Sequence, residues 1–257
     1  MMLKAWLRFF RVVNLPTVPG DVLVGASAFI WTVSNARRTV PYDVSAGIRL
    51  VAFAALASVF MYMFGLADND IVGARKDADR PIPNGEISLG VACLARGLCL
   101  LAVMIVGALG NLPFAWWVVS FALAVTVVVY NRTKWNIAMG LCRGLNVLCG
   151  VAALMVSTAM RNDISVGTRE DIVISATMWV PLFLVWTIYI TAVTWYSTGE
   201  ELDPTKKRRV GFLIGAIVYL QLIALLIFRV NPLLLAGAAL LAVLRLMKRF
   251  LPEVSAS

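Results

Sequence analysis

Apolar residues come in long runs near 15–34, 48–67, 89–109, 113–130, 137–158, 173–196, 210–228 and 231–247. Each is close to the ~20 residues that cross a bilayer as one helix. The pattern predicts an all-α, polytopic transmembrane helical bundle of eight spans, forming one domain over residues 1–257. Gly110-Asn111-Leu112-Pro113 and Val230-Asn231-Pro232 read as tight turns between spans. Gly140, Gly144 and Gly150 in the fifth run suit close helix packing. The opening residues, MMLKAWLRFFRVVNLP, are basic and amphipathic and lack a signal-peptide core. They read as an interfacial lead-in on the cytoplasmic side.

Polar residues gather between the runs, most densely in ADNDIVGARKDADRPIPNGEIS, residues 67–88. The inner loops after the second, fourth and sixth runs carry Arg75, Lys76 and Arg80, then Arg132 and Lys134, then Lys206 to Arg209. This bias places the N-terminus and these three loops in the cytoplasm.

Composition agrees with the pattern. The chain is 61% hydrophobic and 14% charged, with a mean hydropathy of +0.85, far more apolar than a soluble chain of its length. The net charge of +9 would suggest nucleic acid in a soluble protein. In a membrane bundle it reads as cationic inner loops beside anionic lipid, with no nucleic-acid partner. There is no histidine, which excludes a Ser-His-Asp triad and HExxH zinc chemistry. Cys93, Cys99, Cys142 and Cys149 lie in apolar runs without CxxC spacing and read as small buried residues. Trp116, Trp117, Trp135 and Trp195 lie near span ends and read as interfacial belt residues.

The candidate chemistry begins at Asp70 and Asp77, which would share a helix face seven residues apart. Carboxylates aimed at one point repel unless a cation sits between them. Mg²⁺ takes carboxylate and phosphate oxygens and fits such a site. The bland alternative is a solvated loop whose acids pair with Arg75, Lys76 and Arg80. Within the spans, Asp21, Arg143 and Asn146 are ionisable or polar groups at membrane depth, which face a cavity or a partner. They could line a pocket, or an Asp21–Arg143 ion pair could hold the bundle.

The chain resembles the UbiA superfamily of intramembrane prenyltransferases. Their first motif, Asn-Asp-x-x-Asp-x-x-x-Asp, is matched by Asn69, Asp70 and Asp77. The following turn is matched by Arg80-Pro81-Ile82-Pro83-Asn84-Gly85-Glu86-Ile87-Ser88, and a Tyr-x-x-x-Lys loop by Tyr130 and Lys134. The likeness spans nearly the whole chain. It departs at Gly73, where the family has an Asp, and in the second acidic motif, which falls near Glu200, Glu201 and Asp203. The family usually has nine spans. TAVTWYSTGEE, residues 191–201, is closer to the EboC-type branch than to the quinone enzymes.

The resemblance implies Mg²⁺-dependent transfer of a prenyl group from an isoprenyl diphosphate to a small aromatic or polyol acceptor, in the bacterial inner membrane. It implies metal ligation by Asn69, Asp70, Asp77, Asp79, Glu200, Glu201 and Asp203. Asp70, Asp77 and Arg143 would act in catalysis, and Asp21, Arg75, Arg132, Lys134 and Asn146 would bind substrate. A different-class alternative is a non-catalytic prenyl-lipid binding or transport protein on the same scaffold, motivated by Gly73 and the altered second motif. A CDP-alcohol phosphotransferase is only echoed by Gly73-Ala74-Arg75 and lacks the rest of its pattern.

Overall fold

The computed structural model describes residues 2–36, 44–74, 80–155, 169–197 and 204–228. These residues form eight α-helices: α1 (Met2–Phe9), α2 (Thr17–Ala36), α3 (Val44–Gly73), α4 (Leu89–Leu109), α5 (Phe114–Thr133), α6 (Asn136–Leu154), α7 (Arg169–Ser197) and α8 (Pro204–Ile227). No strand occurs among the described residues. Among the described residues, six helical segments are long and apolar enough to cross a membrane: Gly47–Gly73, Leu89–Leu109, Phe114–Thr133, Asn136–Leu154, Trp179–Ser197 and Arg208–Ile227. The protein is an integral membrane helical bundle. The run at 231–247 lies outside the described residues.

α6 is the central helix. It packs against α2, α3, α5 and α7, and most of its residues are buried. Its small residues permit this: a Cβ at Gly140 or Gly144 would strike Thr187 or Thr191 of α7, and one at Gly150 would strike the α2 backbone at Val22. α4 stands at the other extreme. Leu94, Leu98, Leu101 and Met104 are exposed on its outer face, where lipid rather than protein receives them. Cys93 of α4 is exposed as well, unlike the buried Cys99 and Cys149.

α1 does more than lie at an interface. Its Ala5 and Phe9 are buried against Ala67, Ile87 and Ala92, at one end of α3 and α4. Arg8 donates to Glu86 at 3.0 Å. The RPIPNG turn is closed by Asn84 N–H to Arg80 O (3.1 Å) and Gly85 N–H to Ile82 O (3.1 Å). Gly85 takes φ +74, a left-handed conformation that glycine enters without steric penalty. Ser88 then caps α4. These contacts hold Arg80 in position beside the end of α3.

Candidate functional site

A cavity of about 130 Å³ lies among α2, α3, α5 and α6. Arg11, Asn69 and Tyr130 line it at one end, and Ser58, Arg143 and Asn146 line it at depth. Met61, Leu66, Leu123 and Val127 make much of the wall apolar between them.

The mouth is rich in cations. Asp70, on the last turn of α3, is 3% exposed. It accepts from Arg80 Nη1 at 2.9 Å, and Arg11 Nη2 stands 3.8 Å away. Arg11 reaches in from a left-handed backbone position, φ 40, between α1 and α2. Lys134 donates from Nζ to Asn69 Oδ1 and lies 5.3 Å from the centre of the Tyr130 ring. Partial burial, and then repulsion from Arg80 and Arg11, hold the Lys134 ammonium below the usual lysine range, against the pull of Asp68 and Asp70. Among the described residues, three cations thus stand close to one carboxylate and one amide. Such a cluster suits phosphate oxygens, which accept charge-assisted hydrogen bonds.

Gly73 explains part of this arrangement. The Arg80 guanidinium lies where a side chain at 73 would begin: an ideal Cβ there would stand 3.0 Å from Nη1. The missing carboxylate of the motif is thus replaced in space by a guanidinium, which turns onto Asp70.

Asp68, two residues earlier, faces away from this pair. It is 1% exposed. It accepts from Arg96 Nη1 of α4 at 3.0 Å and from Asn131 Nδ2 of α5 at 2.9 Å. Asn131 also donates to Gly65 O at 3.0 Å. The end of α3 is therefore tied to α5 three residues before Lys134.

A second acid is held at membrane depth. Asp21 of α2 is fully buried. Its Oδ1 accepts from Gln221 Nε2 (2.7 Å), Trp186 Nε1 (2.9 Å) and Arg143 Nη2 (3.2 Å). Its Oδ2 accepts from Asn146 Nδ2 at 3.2 Å. Arg143 Nε lies 3.0 Å from Oδ2 as an ion pair, but without hydrogen-bond alignment. Arg143 and Gln221 also donate to Thr17 O. One carboxylate thus joins α2, α6, α7 and α8. A buried charge is tolerated when paired and hydrogen-bonded in this way.

Asn69, Asp70 and Lys134 meet at the mouth, as read from the sequence. Arg143 and Asn146 share a face of α6 and line the cavity. Asp21 does not line it but stands behind them, in the ion pair that was the alternative reading. Arg132 is exposed and turns back onto its own helix, donating to Val128 O at 3.4 Å. α3 ends at Gly73, before Asp77. Arg75, Asp77, Asp79, Glu200, Glu201 and Asp203 lie outside the described residues. Arg11, Asp68, Asn131 and Gln221 are not singled out by the sequence; Arg80 is named there as a partner of the loop's acids, and it does pair with Asp70. Gln221 and Asn131 carried a usable signal, a polar side chain inside or closing an apolar run. Arg11 carried none, because its role depends on how α1 folds back. Trp116 is no belt residue: it is 1% exposed, whereas Trp135 and Trp195 are exposed as expected.

Oxygen donors suit Mg²⁺, which is held by one or two carboxylates together with substrate phosphates. Asn69 Oδ1 and the Asp70 carboxylate are oxygen donors of that kind, and each now accepts from a cation, Lys134 and Arg80, that a metal would have to displace or share. Among the described residues no group of three metal-binding side chains occurs.

No protein-family model matches the chain, and no curated protein does. Two solved structures are similar to it. One comes from work on digeranylgeranylglyceryl phosphate synthase in membranes. It aligns at a TM-score of 0.55 with 17% identity, over 98% of this chain and 94% of that one. The other is a UbiA homolog from Archaeoglobus fulgidus bound to DMAPP and Mg²⁺, with a TM-score of 0.48 and 14% identity, over 96% of this chain and 86% of that one. The chain shares the fold of the first of these structures over nearly its whole length.

Proposed function

We propose that the chain transfers a prenyl group from an isoprenyl diphosphate to a small acceptor within the membrane, with Mg²⁺ as cofactor. The observation that carries this reading is the mouth of the cavity. There Asn69 and Asp70 stand among Arg11, Arg80 and Lys134, above an apolar chamber. Arg11, Arg80 and Lys134 would bind diphosphate oxygens. Arg75 and Arg132 are weaker candidates for the same charge. Asn69 and Asp70 would hold Mg²⁺ with Asp77 and Asp79, and Glu200, Glu201 and Asp203 would supply a second position. The metal would neutralise charge on the departing diphosphate.

The C–O bond breaks with its electron pair leaving on the diphosphate, where the cationic mouth stabilises it. The allylic cation that remains faces Met61, Leu123 and Val127 rather than water. An electron-rich acceptor carbon or oxygen forms the new bond and then releases its proton. Arg143 and Asn146 would orient the acceptor, with Asp21 holding both in place. The same reading puts eight or nine spans in a bacterial inner membrane, with the N-terminus and the mouth in the cytoplasm.

Incubating the purified protein with Mg²⁺, radiolabelled prenyl diphosphates of several lengths and a lipid extract tests the reading. Labelled lipid and free diphosphate are expected, and both should be lost in Asp70→Ala and Asp77→Ala. Intact diphosphate at every length, despite measurable binding, would instead favour prenyl-lipid binding without transfer. The hold of Arg80 on Asp70 favours that second reading, since it occupies a carboxylate the metal would need.

A further inference from the structure

Behind the main cavity lies a smaller chamber of about 10 Å³, and Asn146, Ser58 and Leu123 line both. Its far wall includes Trp116 and Ser120 of α5. Two buried polar atoms on these walls have no hydrogen-bond partner: Asn146 Oδ1 and Trp116 Nε1. The Asn146 orientation is fixed, because its Nδ2 donates to two acceptors, Val18 O at 2.9 Å and Asp21 Oδ2 at 3.2 Å. Its Oδ1 is therefore the atom left for a donor. Trp116 is held as well, its ring packing on Gly107, where a Cβ would stand 2.7 Å from Cζ3.

Buried polar groups of a native fold are ordinarily paired, and an unpaired one carries its full desolvation cost. One lone donor and one lone acceptor, on two residues that line the same chamber, complement a group that accepts and donates through a single small atom. None of the residues lining the chamber is charged, so a carboxylate or phosphate would be buried there without a counter-ion. A methyl group would leave both protein atoms unpaired. A hydroxyl meets both.

We propose that this chamber receives a neutral hydroxyl of the acceptor, while the acceptor's body occupies the main cavity. The Trp116 indole N–H donates to the hydroxyl oxygen, and the hydroxyl donates to Asn146 Oδ1. The main cavity, at about 130 Å³, is close to the ~150 Å³ that admits a benzene ring. This hydroxyl is an anchor and not the attacking group. Asn146 lies seven residues beyond Met139, about 10 Å further along α6 from the mouth. Calling the ligand an acceptor rests on the prenyl-transfer reading; the hydroxyl subsite itself does not.

The test compares benzyl alcohol with toluene on the full chain in micelles, observed through ¹⁵N-labelled indole resonances. Trp116 is assigned by the resonance lost in Trp116→Phe. Benzyl alcohol should move the Trp116 signal and toluene at equal concentration should not. Read by ligand saturation transfer, which needs no indole signal, Trp116→Phe should weaken the alcohol about three- to tenfold, the worth of one neutral hydrogen bond, and leave toluene unaffected. If that variant does not fold, an indole resonance of the wild-type protein moved by the alcohol alone still supports the subsite. Equal response to both probes, or none at any indole, would overturn the proposal and leave a buried water as partner of the two atoms. Labelled lipid without an indole response would sink the subsite alone. An indole response without labelled lipid would sink the transfer reading alone.

Discussion

Asp21 and Asp70 are both buried carboxylates with arginine partners, yet they sit in opposite situations. Asp21 is closed in by donors from α6, α7 and α8 and does not line the main cavity. Asp70 lies beside the mouth of a cavity, where it accepts from Arg80 with Arg11 3.8 Å away and Lys134 on the neighbouring Asn69. A buried acid in a membrane helix is thus not a site by itself. What distinguishes the mouth is that its cationic side chains stand beside open space, where an anionic ligand can reach them.

The contrast is broken most severely at Asp21. Asp21→Ala should cost about 3–5 kcal/mol, because Arg143 is left as an unpaired buried charge. A drop in resistance to SDS unfolding would register it; an unchanged midpoint would mean that Asp21 is not the knot described. Asp70→Ala should behave the other way round. Its partners Arg80 and Arg11 reach the surface, so stability should fall by about 1 kcal/mol or less, while prenyl transfer should drop about hundredfold. Equal damage to stability in the two variants would erase the distinction.

Smaller changes sharpen it. Asp68→Asn keeps the shape of the Arg96–Asn131 tie but removes its charge. It should raise KM for the diphosphate several-fold with kcat little changed, because the end of α3 loses its register against Lys134. Gly73→Ala should press on the Arg80 guanidinium and shift diphosphate affinity by about two- to fivefold, with stability changed by under ~1 kcal/mol.

The last effect is on pH. Lys134 titrates below the ordinary lysine range, and a bound diphosphate favours its charged form. Affinity should be full below the Lys134 pKa and fall as pH rises through it, earlier than an unperturbed lysine would give. Folding stability moves oppositely. Between the lowered folded pKa and the unfolded one the unfolded chain binds more protons, so stability gains with pH across that window. Affinity titrations of wild type and Lys134→Arg would separate the two, since arginine stays charged.

The hydrophobic runs made the spans legible, because membrane helices must satisfy their backbone internally and carry apolar faces. The boundaries shifted only by a few residues, and α3 ran longer than its apolar run because Asn69 and Asp70 continue the helix. Asn69, Asp70 and Lys134 were readable from motif spacing, as was the pairing of Arg143 with Asn146 on one face. The loop cations were harder. Arg80 opens a proline-rich turn and returns to α3 through its side chain, and Arg11 depends on α1 docking through Phe9. Neither depends on a periodic pattern. Asp21 showed its importance but not its role, since whether it faces a cavity or four partners is a matter of helix rotation. Trp116 misled because nearness to a span end says nothing about which way an indole points.

The most direct test of the central claim is equilibrium binding of a C5 allylic diphosphate with Mg²⁺ to the purified protein, set against Arg80→Ala and Lys134→Ala. Each variant should weaken binding about tenfold or more, the worth of one charge-assisted hydrogen bond or better, with the fold retained. Wild-type affinity in both variants would contradict the account, because the diphosphate would then lie somewhere other than the cationic mouth of this cavity.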